Sequence, residues 1–347
     1  MIPVIFGLSG LAPTDAERAF FASCEPAGYI LFGRNCESVA QMRALTDELR
    51  ALHGRDDLLI LIDQEGGRVT RMKPPVWPAY PPQGLFDRLY DVAPITALEA
   101  ARCNALAIGL DLAEVGVSSD ALPLLDVRQE GAHDVIGDRA LGRDPLRVGS
   151  LGRAVLDGLA EAGVVGIVKH MPGHGRALCD SHKDLPRVTA NEADLASDLK
   201  PFQTLRDAPM AMSAHIVFEA WDPDNPATQS PTVIAEVIRR RIGFDGLLMT
   251  DDIDMEALSG TIPERSAAAI AAGCDLVLNC WARMEDMEGI CAALPEITPD
   301  ARRRLDAAMA GADVARPFDR AGERAEAVAK RDALLAAAGL AAAGVSA

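Results

Sequence analysis

Eight short apolar runs set the strongest constraint on this chain. They are Val4–Leu8, Gly28–Phe32, Leu58–Ile62, Asp120–Leu125, Val164–Val168, Met210–Ala214, Gly246–Met249 and Asp275–Leu278. Most of the intervals between them hold a helix-patterned segment, among them a Thr14-capped stretch ending near Cys24, Glu192–Asp207, Thr232–Ile242 and Arg265–Ala272. Buried strands alternating with helices predict a parallel sheet. Eight is also the number that closes a (β/α)8 barrel. An open doubly wound sheet would call for a Gly-rich GxGxxG turn after the first strand, and none is present. The expectation is an α/β chain with a single-domain TIM-like barrel over residues 1–340. It ends in C-terminal helices from about Pro299, and residues 341–347 form a tail expected to be disordered. No linker or repeat sets up a second domain.

Composition narrows the partners. Aromatic residues make up 4% of the chain, so Ala, Leu, Val and Ile must fill the core. A formal charge of −17 with no basic block repels nucleic acid. No apolar run approaches the roughly 20 residues that a membrane span needs. Met1–Pro13 has no basic residue ahead of its apolar part, unlike a secretory signal. Seven Cys, an odd number without a CxxC, read as reduced thiols in a cytoplasmic protein. A monomer acting on a small molecule is expected.

The polar residues are placed with a pattern. Asp63, Asp126, Lys169, His170, His215 and Asp251 each follow an inferred strand. In a barrel those ends converge on the face where substrates bind. Gly66-Gly67 permits a turn that brings Asp63 and Arg71 to one pocket, and Arg139 supplies a second guanidinium. Asp251, the first carboxylate after its strand, is suited to act as nucleophile, base or metal ligand. Asp252 and Asp254 are expected to cap the following helix. The segment Lys169-His170-Met171-Pro172-Gly173-His174-Gly175 reads as a loop in which the glycines serve as pivots. In Asp180-Ser181-His182 the carboxylate can hold the imidazole tautomer and raise its basicity, which makes a general acid.

These motifs carry a resemblance. The segment from Lys169 to Gly175 is similar to the KHFPGHG signature of family 3 glycoside hydrolases, with Met171 in place of the common Phe. The run Ile62–Arg71, Ile136-Gly137-Asp138-Arg139, Asp180-Ser181-His182 and Thr250-Asp251-Asp252 resemble the bacterial β-N-acetylglucosaminidases of that family, from about Gly28 to Asn279. The resemblance implies a single-domain barrel that removes terminal β-linked N-acetylglucosamine from 1,6-anhydromuramoyl-peptide fragments of the cell wall in the cytoplasm. It implies Asp251 as nucleophile and His182, partnered by Asp180, as general acid/base. It implies Asp63, Arg71, Arg139, Lys169 and His170 as sugar-binding residues, with no metal or organic cofactor. His174 matches a loop position without an assigned role. Glycosidases usually pair two carboxylates; many other members of the family draw their acid from a second domain, for which this chain has no room.

Three other readings compete. His170, His174, His182 and Asp251 could ligate zinc, although the chain lacks an HxH pair after its first strand. A noncatalytic sugar-binding protein explains Asp63 and Lys169 but not the Asp180/His182 unit. Phosphorolysis is a rival within the family, because a neutral His repels phosphate less than a carboxylate does.

Overall fold

The computed structural model describes residues 1–131, 133–179, 184–314 and 320–341. Its strands are β1 (Ile2–Gly7), β2 (Pro26–Leu31), β3 (Leu59–Ile62), β4 (Ser119–Asp120), β5 (Val165–Met171), β6 (Arg187–Val188), β7 (Met210–Ser213), β8 (Val217–Phe218), β9 (Leu247–Asp252) and β10 (Leu276–Asn279). Eight of them close a parallel barrel in the order β1-β10-β9-β7-β5-β4-β3-β2. The pair β6–β8 lies outside it. The eight barrel strands fall on the eight apolar runs, so the (β/α)8 expectation holds.

Alternation of side chains explains how the runs fill space. Ile5, Ile30, Leu59, Leu61, Ile167 and Met212 point into the barrel. Their neighbours Val4, Phe6, Tyr29, Leu31, Ile60 and Ile62 face the helices. With so few aromatics available, Met210, Met212 and Met249 join the aliphatic residues inside the barrel. Methionine is flexible enough to fill the irregular gaps there.

The helices are α1 (Asp15–Cys24), α2 (Val39–His53), α3 (Gly84–Val92), α4 (Pro94–Glu114), α5 (Pro145–Glu161), α6 (Glu192–Asp198), α7 (Lys200–Thr204), α8 (Ile262–Ala272), α9 (Met284–Ala293), α10 (Pro299–Met309) and α11 (Ala321–Ala337). Thr14 caps α1 as expected: its hydroxyl accepts from the Glu17 N–H at 3.2 Å while the Glu17 carboxylate takes the Thr14 N–H at 2.7 Å. Helix α4 is apolar nearly all round because it packs against α3, α5 and α11.

The structure departs from the sequence reading in several places. β4 is only two residues long: the last bond to β3 on this side is the Ala121 N–H to the Ile62 carbonyl, Pro123 offers no N–H, and residues 122–125 are bonded across to β5 alone. The helix expected over Glu192–Asp207 splits at Leu199, ahead of Pro201. The segment Val233–Ile242 is wound as a π-helix. Cys24 and Cys291 form a disulfide between the C-terminal ends of α1 and α9, which corrects the reading of all seven cysteines as reduced thiols. Barrel closure makes the helices of the first and last units neighbours, and their separation of 267 residues hides this in the sequence. Residues 342–347 of the expected tail lie outside the described residues.

Candidate active site

The C-terminal ends of β3, β5 and β9 hold most of the expected residues, and the loops beyond β3 and β4 supply the two guanidinia. Lys169, on β5 and 2% exposed, sits between two carboxylates: its Nζ is 3.0 Å from Asp63 Oδ1 and 2.6 Å from Glu65 Oε1. Asp63 Oδ2 also accepts from Arg71 Nη2 at 3.1 Å. Glu65 takes Arg139 Nε and Nη2, both at 2.8 Å. The network therefore holds three cations and two carboxylates in one buried layer. Burial would raise the pKa of Asp63, but the charges of Lys169 and Arg71 outweigh it and hold the carboxyl well below its usual range. Burial would likewise lower the pKa of Lys169, and Glu65 and Asp63 raise it instead.

Gly66 and Gly67 permit the turn that folds Arg71 back on Asp63. Both lie at positive φ, 87° and 58°, and a Cβ on Gly66 would stand 2.4 Å from the Pro81 carbonyl oxygen. The Gln64 side chain fixes the turn from inside, its carbonyl accepting from the Arg71 and Met72 N–H groups at 2.9 and 3.0 Å.

Asp126 organises the next residue. Its Oδ2 accepts from His170 Nδ1 at 2.8 Å, and its Oδ1 from the backbone N–H groups of His170 (3.2 Å) and His174 (2.6 Å). Burial opposes its ionisation, yet the His170 imidazole and these donors bring its pKa down to about 2. Nδ1 of His170 thus carries the hydrogen, and Nε2 points across 3.9 Å to Asp251 Oδ2. His174 packs edge-on against the His170 ring, and burial pushes its pKa down to about 4.

Asp251, the penultimate residue of β9, has its side chain 19% exposed and accepts from the Asp252 N–H at 2.8 Å. Asp252 and Asp254 cap no helix, contrary to expectation, since α8 begins ten residues after Asp252 under its own cap, Thr261. Asp252 Oδ1 accepts from the Asp254 N–H. Asp254 Oδ2 gathers Asn279 Nδ2, Cys280 N–H and Trp281 N–H at 2.8, 3.0 and 3.3 Å. It thereby ties the end of β10 to the turn after β9. Burial, then the neighbouring Asp254, pushes the Asp252 pKa up to about 8.

A cavity of about 160 Å³ opens over these groups. Asp63, Arg71, Arg139, Lys169, His170 and Asp251 line it with an apolar wall that includes Phe32, Met212 and Leu278. All the expected sugar-binding residues and the expected nucleophile therefore meet in one cavity. Asp180 and His182, the expected acid/base unit, lie outside the described residues. Gly175 turns out to serve close approach: a Cβ there would stand 1.9 Å from the Val127 carbonyl oxygen, and the Gln129 N–H donates to the Gly175 carbonyl. Among the described residues no group of three His, Cys, Asp or Glu could hold a metal ion.

Glu65, Asp120 and Asp126 were not assigned site roles from the sequence. Glu65 stands two residues beyond Asp63, which in an extended segment sends both side chains the same way, and that signal could have found it. Asp120 is fully buried at the end of β4; its Oδ1 accepts from the Gln64 N–H at 2.9 Å, and its Oδ2 has no hydrogen-bond partner among the described residues. Burial in this setting, with Asp63 and Glu65 nearby, pushes its pKa up to about 8 against the pull of Lys169.

Comparison with known proteins shows the family. Residues 4–310 match the glycosyl hydrolase family 3 N-terminal domain. The chain belongs to that family. It is 36% identical over 322 residues to a β-hexosaminidase of Aromatoleum aromaticum, covering 91% of this chain and 89% of that one. It is 38% identical over 324 residues to a β-hexosaminidase of Chromobacterium violaceum, covering 92% and 89%. Its fold superposes on NagZ from Neisseria gonorrhoeae, crystallised with N-trifluoroacetyl-D-glucosamine, with a TM-score of 0.84, 30% identity and 97% of both chains covered. The family 3 barrel is thus an enzyme of the glycoside hydrolase class.

Proposed function

We propose that this chain is a β-N-acetylhexosaminidase that removes terminal N-acetylglucosamine with retention, through a covalent glycosyl-enzyme. One observation carries the reading: Asp251 lines a cavity the size of about one sugar together with Asp63, Lys169 and His170, whose donors and acceptors suit sugar hydroxyls. Asp63 accepts from sugar hydroxyls, the Lys169 ammonium donates to them, and His170 Nε2 accepts. Arg71 faces the acetamido group or a neighbouring saccharide. Asp251 attacks C1 while His182, tuned by Asp180, gives its proton to the leaving oxygen. The same His then takes a proton from water, which opens the glycosyl-enzyme and restores the β configuration.

Peptidoglycan fragments ending in N-acetylglucosamine–anhydromuramoyl units are the proposed substrate, and a monomer in the cytoplasm the proposed setting. The disulfide pulls against that compartment, because such bonds persist where conditions are oxidising. Counting free thiols in protein taken directly from cells, under acid quench, decides between the two.

The test of the activity is a 5-fluoro-N-acetylglucosaminyl fluoride. It should label the peptide that contains Asp251, and Asp251→Asn should abolish the label and nearly all turnover while N-acetylglucosamine still binds. A label on Asp252 or Asp254, or no label during active turnover, refutes the covalent assignment.

A further inference from the structure

We infer that Trp281 is the platform for the second sugar of the substrate, a subsite just outside the cavity; the inference rests on the glycosidase reading above. The cavity, about 160 Å³, is well below the several hundred Å³ that enclose a whole small ligand. A terminal sugar fills it, and everything beyond the scissile bond must lie on the rim. Cys280 still lines the cavity, and Trp281 is the next residue outward after β10. It is 59% exposed, which is unusual for an indole, whereas Trp77 is 4% exposed. An exposed indole at the rim of a cavity offers a large rigid face of the kind enriched where proteins bind ligands.

The backbone that carries the indole is also held. The Trp281 N–H donates to Asp254 Oδ2, the same oxygen that gathers the Asn279 and Cys280 donors, so its backbone is fixed relative to the turn that carries Asp251. Ala282 follows at φ 55°, turning the chain so that the Arg283 guanidinium lies 5.3 Å from the indole centroid. Arg283 is anchored in turn by Asp286 at 3.5 Å. A cation over one part of the ring system leaves the remaining aromatic surface to solvent. The aliphatic C–H face of a pyranose is its natural cover: apolar on that face, polar at the edge, and non-directional enough to accept different second sugars. The class of ligand is a β-linked disaccharide or longer glycan whose non-reducing sugar occupies the cavity.

Two substrates with the same terminal sugar test this. N-acetylglucosaminyl fluoride has no second sugar, whereas N,N′-diacetylchitobiose has one. Trp281→Ala should raise KM for the disaccharide about 10-fold, as loss of one aromatic contact implies. It should leave kcat within about 2-fold and the fluoride kinetics unchanged, and Trp281→Phe should recover most of the loss. In the Asp251→Asn background, diacetylchitobiose should quench tryptophan emission and N-acetylglucosamine alone should not; Trp281→Phe should remove the quench. An equal rise in KM for both substrates would make Trp281 a structural residue, and an unchanged disaccharide KM would remove the subsite. If the unaltered protein does not turn over the fluoride, the glycosidase reading fails. The fluorescence titration then still decides on its own whether the disaccharide meets Trp281.

Discussion

Asp120 offers a test of the site that needs no substrate. It is fully buried, makes no ion pair among the described residues, and has one carboxyl oxygen without a hydrogen-bond partner. An ionised carboxylate is not held in such a place, so it keeps a proton, with its pKa pushed up to about 8. In the unfolded chain the same group titrates near 3.9, as free Asp does. For a carboxyl raised on folding, the stabilising contribution is fullest below the unfolded pKa and declines as pH climbs towards the folded one. Between about pH 4 and 8 the native state holds one proton that the unfolded chain has released. Each pH unit in that window therefore costs the native state about 1.4 kcal/mol. Asp120→Asn places a neutral isostere there with no proton to retain. Its stability relative to the parent should rise by about 2.7 kcal/mol from pH 5 to pH 7. Urea denaturation at pH 5, 6 and 7 measures this as a widening gap between the two midpoints. A constant gap would mean that Asp120 is ionised in the native state, and the charge accounting around Lys169 would have to be redrawn. Above pH 8 the parent should also lose sugar affinity, because a third carboxylate then competes for Lys169, and the variant should not.

Asp126→Asn should lower kcat/KM by about 10- to 100-fold, the value of one charge-assisted hydrogen bond, and 15N shifts should show the proton of His170 moved from Nδ1 to Nε2. An unmoved proton would mean that Asp126 does not set the tautomer. His182→Ala should spare the first step for a dinitrophenyl glycoside but not for a disaccharide, and azide should restore turnover as a β-glycosyl azide; equal damage to all substrates would remove His182 as the acid/base. Gly175→Ala should destabilise the fold by roughly 1–3 kcal/mol, because the methyl group meets the Val127 carbonyl, and a neutral effect on thermal melting would contradict the close packing. Cys24→Ser should cost up to about 5.5 kcal/mol in the loop-entropy model for a 267-residue closure, with no effect under strong reductant; equal stability in oxidised and reduced protein would show that the bond does not form.

The barrel was legible because burial on both faces of a parallel strand writes itself as a continuous apolar run, as in Leu58–Ile62 and Val164–Val168. Strand ends were legible for the same reason, since the first charged residue after such a run is the first one free to face the mouth. Asp63, Lys169 and Asp251 were found that way. What was hidden depends on closure. Whether Asp254 caps a helix or clasps the end of β10 depends on a segment 25 residues away. The pairing of Glu65 with Arg139 spans 74 residues, and both residues look like ordinary loop charges until the strands are neighbours. Gly175 has a reason for being glycine that the sequence does not show, because freedom to pivot and room for a passing backbone leave the same letter.

The Cys24–Cys291 bond has one more consequence. It converts the chain from residue 24 to residue 291 into a closed covalent ring, from which β1 and the C-terminal helices extend as two tails. Every loop at the mouth between those cysteines belongs to the ring. A protease that cuts one of them opens the circle without releasing a fragment. The nicked protein keeps its full mass on a non-reducing gel and comes apart only when the thiols are restored. Loops at the mouth can therefore be long and accessible, since one broken peptide bond there does not divide the molecule.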